Sequence, residues 1–316
     1  VSSGWLGRLA WAAAAVTRVA LDVEDARLLD LCDPAADLEC LASGFQFVEG
    51  PAWHPVRQDL VFSDIAGDRL YRWRAADGVT VFRQPSRMAN GNTYDALGRL
   101  LTCEHAASRV TRTEPDGTLT IIAARYAGRE LNSPNDIVVR SDGAIYFTDP
   151  NFGRRPSRVG VPRPQQQPGQ AVYRVDPDTL ALTRLADDFD QPNGLCFSLD
   201  ERRLFVNDSA RGHIRVFEVD AAGDLRGGQI WAEVVGEGPG VPDGLKVDAQ
   251  GNVYCAGPGG LHVFSPAGEA LGRVRVPEQA ANFTWGEADA RSLFITATST
   301  LYRLRVRAPG RLLFNA

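Results

Sequence analysis

The chain is predicted to be all-β: a six-bladed β-propeller carrying a short N-terminal helical extension. Three observations lead there. One strand-turn-strand unit recurs six times, its spacing suits a four-stranded blade, and helical periodicity is nearly absent after residue 40. The unit is clearest in SPNDIVVRSDGAIYFTD, residues 133–149, where Asn135 opens a strand pattern, Ser141-Asp142-Gly143 turns it, and Asp149 closes the return strand.

The other units read from Glu49 to Asp64 (EGPAWHPVRQDLVFSD), Asn90 to Glu104 (NGNTYDALGRLLTCE), Asn193 to Asp208 (NGLCFSLDERRLFVND), Asp243 to Gly257 (DGLKVDAQGNVYCAG) and Asn282 to Ala297 (NFTWGEADARSLFITA). None needs an internal gap. Their first positions lie 41, 45, 58, 50 and 39 residues apart, and a propeller blade takes roughly 40 to 50. Further strand pairs fill the intervals, as in RLYRW at 69–73 and AVYRVDPDTLALTRL at 171–185. The competing reading is a pair of β-sandwiches or a mixed fold whose Asp-Gly turns resemble one another by turn chemistry alone.

Residues 1–35 are assigned to the helical extension and 36–316 to the propeller. Trp5, Leu9, Ala13, Val16 and Ala20 fall on one face at helical spacing. Arg8 and Arg18 interrupt the apolar stretch, which is shorter than the roughly 20 residues of a membrane span. A residual targeting segment is the minority reading. A ring must also close, and the strand-like residues 36–45 are expected to pair with 301–306, removing an open sheet edge.

Composition narrows the partners. A net charge of −5 and a pI near 5.5, with no run of basic residues, argue against nucleic acid or an anionic membrane and for a small molecule or ion. Oligomeric state is left open. Five scattered cysteines without a C-x-x-C pair indicate neither a disulfide framework nor a zinc site, although Cys32 and Cys40 are close enough in sequence to consider. Nothing demands an oxidising compartment, so the expectation is cytoplasmic, or periplasmic if the N-terminal segment is a targeting remnant.

First strands of propeller blades line the central channel, so the first positions form a ring: Glu49, Asn90, Asn135, Asn193, Asp243, Asn282. Each offers a side-chain oxygen. The second positions, Asp64, Glu104, Asp149, Asp208, Gly257 and Ala297, are expected on the same face, with Asp64 and Asp208 better read as acceptors for loop amides. Glu49 converging with Asp243 would suffer a raised pKa or repulsion without a cation. Two carboxylates among amide oxygens make a hard-ligand site, calcium first, with magnesium, manganese or zinc as alternatives.

The motifs FVEGPAW, LNSPNDIVV with IYFTDPNFG, QPNGLCFSLDERRLFVNDS and VPDGLKVDAQGNVYCAG resemble those of the gluconolactonase, senescence marker protein (regucalcin) and luciferin-regenerating enzyme family. In Asn90-Gly91-Asn92 and Cys103-Glu104-His105 the chain is most similar to the bacterial gluconolactonase branch. The resemblance runs from about residue 22 to the C-terminus and implies a propeller with one axial divalent cation, usually calcium, that hydrolyses sugar lactones. It implies Glu49, Asn193 and Asp243 as metal ligands, with Asn135 at a position that contacts substrate and, in some members, the metal. Asp243 matches the proposed general base. Animal members carry a basic residue where this chain has Ser133.

The mechanism so implied is metal-assisted acyl hydrolysis, with a polarised lactone carbonyl and Asp243 as base or, alternatively, nucleophile. Asn90, Asn135, Glu104 and His105 are the candidate substrate-binding residues, His105 as proton relay or hydroxyl partner. The stretch GRRPSRVGVPRPQQQPGQ at 153–170 is expected as a lid or substrate wall that supplies Arg154 or Arg155, or else as a solvated insertion. Phosphotriester hydrolysis at the same metal, and calcium binding or a partner platform without catalysis, are the alternative functions.

Overall fold

A computed structural model of the chain describes residues 15–311. Six antiparallel sheets follow one another along it. The first four blades are each four-stranded and cover residues 48–83, 89–123, 137–189 and 192–233, innermost strand first. The fifth holds four strands between 245 and 275, and the sixth three strands between 280 and 305. A two-stranded hairpin at 125–130 lies between the second and third. Among the described residues no helix is long and apolar enough to cross a membrane.

The ring closes as expected. Strand Asp37–Ser43 pairs antiparallel with Thr300–Arg305, Thr300 opposite Ser43 and Leu304 opposite Leu38. The sixth blade is thereby completed by the beginning of the chain.

The N-terminal segment departs from the expected helix. Val16–Arg18 pairs with Asp37–Ser43 and Ala20–Val23 pairs with Ala270–Arg275, each adding a fifth, outermost strand to a blade. Unpaired edge amides and carbonyls can be satisfied by a strand but not by a helix, and that outweighs a weak apolar period. Val16 and Ala20 of the predicted face are exposed and Val19 is buried instead. Trp5, Leu9 and Ala13 lie outside the described residues. The one α-helix among the described residues is Arg27–Leu31, which buries Leu28 and Leu31 against the fifth and sixth blades. Val16–Arg18, Ala20–Val23 and Arg27–Leu31 are therefore part of the propeller wall.

Alternating strand residues fill the gaps between neighbouring sheets. Within the first blade Phe62 and Tyr71 stack at 5.6 Å between centroids, and Trp53 stacks on Phe294 at 5.3 Å across the first and sixth blades. Tyr146 meets Phe197 edge-on between the third and fourth, and Trp231 bridges Phe205 and Phe264 between the fourth and fifth. Each such ring contributes about 1.5–3 kcal/mol by leaving water. All five cysteines are free thiols, Cys32 and Cys40 included.

Candidate active site

Close approach of the blades at the axis shapes the site. Glycine follows four of the six ring residues, as Gly50, Gly91, Gly194 and Gly244. A Cβ on Gly50, Gly91 or Gly194 would collide with the backbone carbonyl of the next ring residue, Asn90, Asn135 or Asp243, and one on Gly244 with the Asn282 side chain. The innermost ladders break at the same places, between Glu49 and Ala52, Ala89 and Asn92, Pro192 and Leu195, and Ala280 and Asn282. Such bulges re-aim side chains. Here they turn the ring residues into the channel mouth.

The second-position carboxylates fix this geometry from outside. Asp64 accepts the amides of Phe47 at 2.9 Å and Gly67 at 3.1 Å, Asp149 that of Asn132 at 2.8 Å, and Asp208 those of Asp190 at 2.8 Å and Gln191 at 3.0 Å. Each thus pins the segment leading into its own unit's ring residue. Glu104, expected at the substrate, is not brought to the mouth. It is buried between blade strands, held by Arg83 at 3.1 Å, Arg109 at 2.6 Å and Thr111 at 3.0 Å. Two guanidiniums supply the charge that a buried Glu needs, and they draw the side chain away from the axis.

Glu49, Asn90, Asn135, Asn193 and Asp243, with His105, line one cavity of about 250 Å3. The five ring residues are 2–8% exposed. Asn282 is buried beside them, where its amide bonds the Glu49 carboxylate. Phe47, Ile65, Phe152, Val159 and Val241 form the apolar wall above. Burial pushes the Glu49 carboxyl up, and Asp136 adds to it. Burial and the adjoining Glu49 push Asp243 well above the usual carboxylate range. Without a cation the pair holds on to protons.

Two amide oxygens point into this floor with no partner. Ser209 Oγ donates to Pro242 O at 2.6 Å, so it can only accept from Asn193 Nδ2, at 3.0 Å. Asn193 Oδ1 is left buried and unpaired. His105 Nδ1 faces Val159 O at 2.9 Å, so it must carry the proton there, and Nε2 accepts from Asn90 Nδ2 at 3.1 Å. Asn90 Oδ1 is orphaned in turn. Burial lowers the His105 pKa to about 4, so the ring is neutral. With both nitrogens engaged, His105 positions Asn90 and has no free nitrogen for a proton relay or a substrate hydroxyl.

Buried, unpaired oxygens beside two protonation-prone carboxyls are what a hard cation would satisfy. Among the described residues no group of three or more His, Cys, Asp or Glu side chains is suited to a metal, so any cation on this floor would take its remaining ligands from amide oxygens.

Residues 47–299 match the family described as the SMP-30/Gluconolactonase/LRE-like region. The chain belongs to this family. Within it, the gluconolactonase of Zymomonas mobilis is 29% identical over 307 residues, 90% of this chain and 85% of the relative. Pentonolactonase XacC of Haloferax volcanii is 29% identical over 289 residues, covering 83% of this chain and 92% of its own. A solved gluconolactonase, XC5397 from Xanthomonas campestris, superposes with a TM-score of 0.84 at 38% identity, covering 90% of this chain and 94% of the other.

In this family member the 153–170 segment sits over the mouth, but Arg154 and Arg155 are not what it presents. Arg154 is buried and bonds Asn132 O at 2.7 Å, Pro164 O at 2.6 Å and Ser108 Oγ at 3.1 Å, and pairs with Glu130. Arg155 turns to Gln191 and the Phe152 ring. Arg158 reaches the cavity instead, its guanidinium 4.4 Å from the Phe47 ring centroid. Ser133 is occupied by this segment too, accepting from Gly153 N at 2.9 Å.

Sequence reasoning also missed Asp136, buried and paired with Lys246 at 3.4 Å beneath the floor. Two signals marked them. Asp136 stands where four units have glycine, and Lys246 is the single lysine of the chain.

Proposed function

We propose that the chain is a lactonase, a carboxylic ester hydrolase that opens sugar lactones at the channel mouth. The observation that carries this reading is the pair of orphaned oxygens, on Asn90 and Asn193, beside the Glu49 and Asp243 carboxyls at the floor of a partly apolar cavity that opens at its rim. The names of its 29% identical relatives, a gluconolactonase and a pentonolactonase, support the same chemistry.

Glu49, Asn193 and Asp243, with Asn135 beside them, are the residues that would hold a divalent cation, calcium first. Bound there, such an ion acts as a Lewis acid toward the lactone carbonyl. Asp243 would accept a proton from the water that attacks the carbonyl carbon or, because a cation held beside it lowers its basicity, attack that carbon directly as nucleophile. Glu49 keeps the floor anionic. Asn90 and Asn135 line the cavity where sugar hydroxyls would lie, and His105 fixes the direction of the Asn90 amide. Phe47, Ile65 and Phe152 exclude bulk water, which strengthens each polar contact below them.

The deciding experiment strips the protein with chelator and follows gluconolactone, other aldonolactones and a phosphotriester by pH-stat as calcium, magnesium, manganese or zinc is returned singly. Lactone hydrolysis that vanishes on stripping and returns with one ion supports the reading. Undiminished hydrolysis after stripping, or turnover of the phosphotriester alone, overturns it.

A further inference from the structure

The cavity runs from a buried floor to an exposed rim, and the charges on it are unevenly placed. Its ionisable lining residues are Glu49 and Asp243 at the floor, neutral His105 on the wall, and Arg158 at the rim. Glu49 and Asp243 are nearly inaccessible, whereas Arg158 is exposed. Among the described residues Arg158 forms no ion pair, and its guanidinium lies over the face of Phe47.

An exposed arginine on a slack loop would mean little, but this one is held. On one side Arg154 is buried and spends its guanidinium on carbonyls of the neighbouring segments and on Glu130. On the other, Val159 O bonds His105 Nδ1 at 2.9 Å, and Arg163 bonds Gly153 O at 2.9 Å and the His105 carbonyl at 2.5 Å. Arg158 is thus suspended between two anchors. Stacking on Phe47 leaves the N–H edge of the guanidinium available, and that edge matches a carboxylate or phosphate bidentately.

We propose that Arg158 selects lactones carrying a second, anionic group at the end remote from the ring ester. This rests on the lactonase reading, and it names the substrate class. A lactone seated with its carbonyl at the floor directs its far end to the rim, and at about 250 Å3 the cavity lies just below the size range of drug-sized sites, roughly 300–1,000 Å3, as suits a single sugar unit. If a divalent cation were held by the floor carboxylates it would offset their charge, and the Arg158 charge would be left for the ligand to meet. A sugar-acid carboxylate and a terminal phosphate present the same chemistry to it.

The test compares kcat/KM of wild-type, Arg158→Gln and Arg158→Lys protein, loaded with the activating metal, on gluconolactone, glucarolactone and a gluconolactone bearing a terminal phosphate. The expected result is an anion-to-neutral ratio above one in wild type that falls about tenfold to a hundredfold in Arg158→Gln, mainly through KM, with Arg158→Lys between. A fall for glucarolactone alone assigns a carboxylate, and one for the phosphorylated lactone alone assigns a phosphate. Equal losses on charged and neutral lactones, or an unchanged ratio, overturn the proposal while leaving the lactonase reading intact. Absence of hydrolysis on all three lactones is instead the failure of the lactonase reading.

Discussion

Ser209 accepts a hydrogen bond from the Asn193 amide at 3.0 Å while giving its own proton to the Pro242 carbonyl. The serine therefore dictates which end of the Asn193 amide faces the floor. Replacing it with alanine frees that amide to rotate. Ser209→Ala is expected to weaken calcium binding about tenfold or more, as loss of an outer partner of a metal ligand does, while the melting temperature of stripped protein moves little. Isothermal titration with calcium measures it, and an unchanged affinity would show that Asn193 needs no such guidance.

Asp243→Asn removes the carboxyl assigned as base, one of two that repel each other on the floor. Lactone turnover should fall by about a thousandfold or more. The stripped protein should melt no lower than wild type, because a neutral amide replaces a buried acid. A variant retaining a tenth of wild-type kcat would rule out Asp243 as the base.

The stabilisation that a bound ion gives should itself depend on pH. Glu49 and Asp243 have raised pKa values when folded, so the folded state binds more protons than the unfolded one. Stripped protein then loses stability as pH rises from about 4.5 through neutrality. Asp149, pushed up to about 7, adds to the same trend without touching the floor. His105 opposes it, since a folded value of about 4 against 6.5 costs stability as pH falls through that window. Only the Glu49 and Asp243 contributions respond to the ion. Calcium should therefore raise the melting temperature more at about pH 8 than at about pH 5.5, as scanning calorimetry would read. Equal shifts at both values would contradict the coupling.

Gly194→Ala places a methyl group against the backbone carbonyl of Asp243. Neither blade can yield without spreading the ring. The expected cost is about 3 kcal/mol or more, seen as a lower urea midpoint, together with weaker calcium binding. Wild-type-like stability would mean that the blades approach less closely than described.

The ring was legible in the sequence because a propeller repeats one geometric problem six times, and the same residue types solve it each time. Glu49, Asn90, Asn135, Asn193 and Asp243 could be placed on one cavity from spacing alone. What spacing could not show was which way a strand turns a residue when a neighbouring strand competes for it. Glu104 occupies the same repeat position as Asp64 and Asp208, yet Arg83 and Arg109 take it into a blade. Arg158 was hidden for a different reason. Insertions have no period, and the roles of Arg154, Arg155 and Arg158 within 153–170 are set by carbonyls and rings from distant segments. The N-terminal strands were missed because their pairing partners, 37–43 and 270–275, lie in other parts of the chain.

The seam in the sixth blade carries a consequence for synthesis. Asp37–Ser43 is made before the strands of the first five blades, and its partner Thr300–Arg305 only after them. Until then one edge of Asp37–Ser43 stays unpaired, and the wheel locks only once the strands of the sixth blade are made. A circular permutant whose termini are moved to a turn between two other blades would carry its seam there, and the nascent chain would then wait on a different pair of strands to shut the ring.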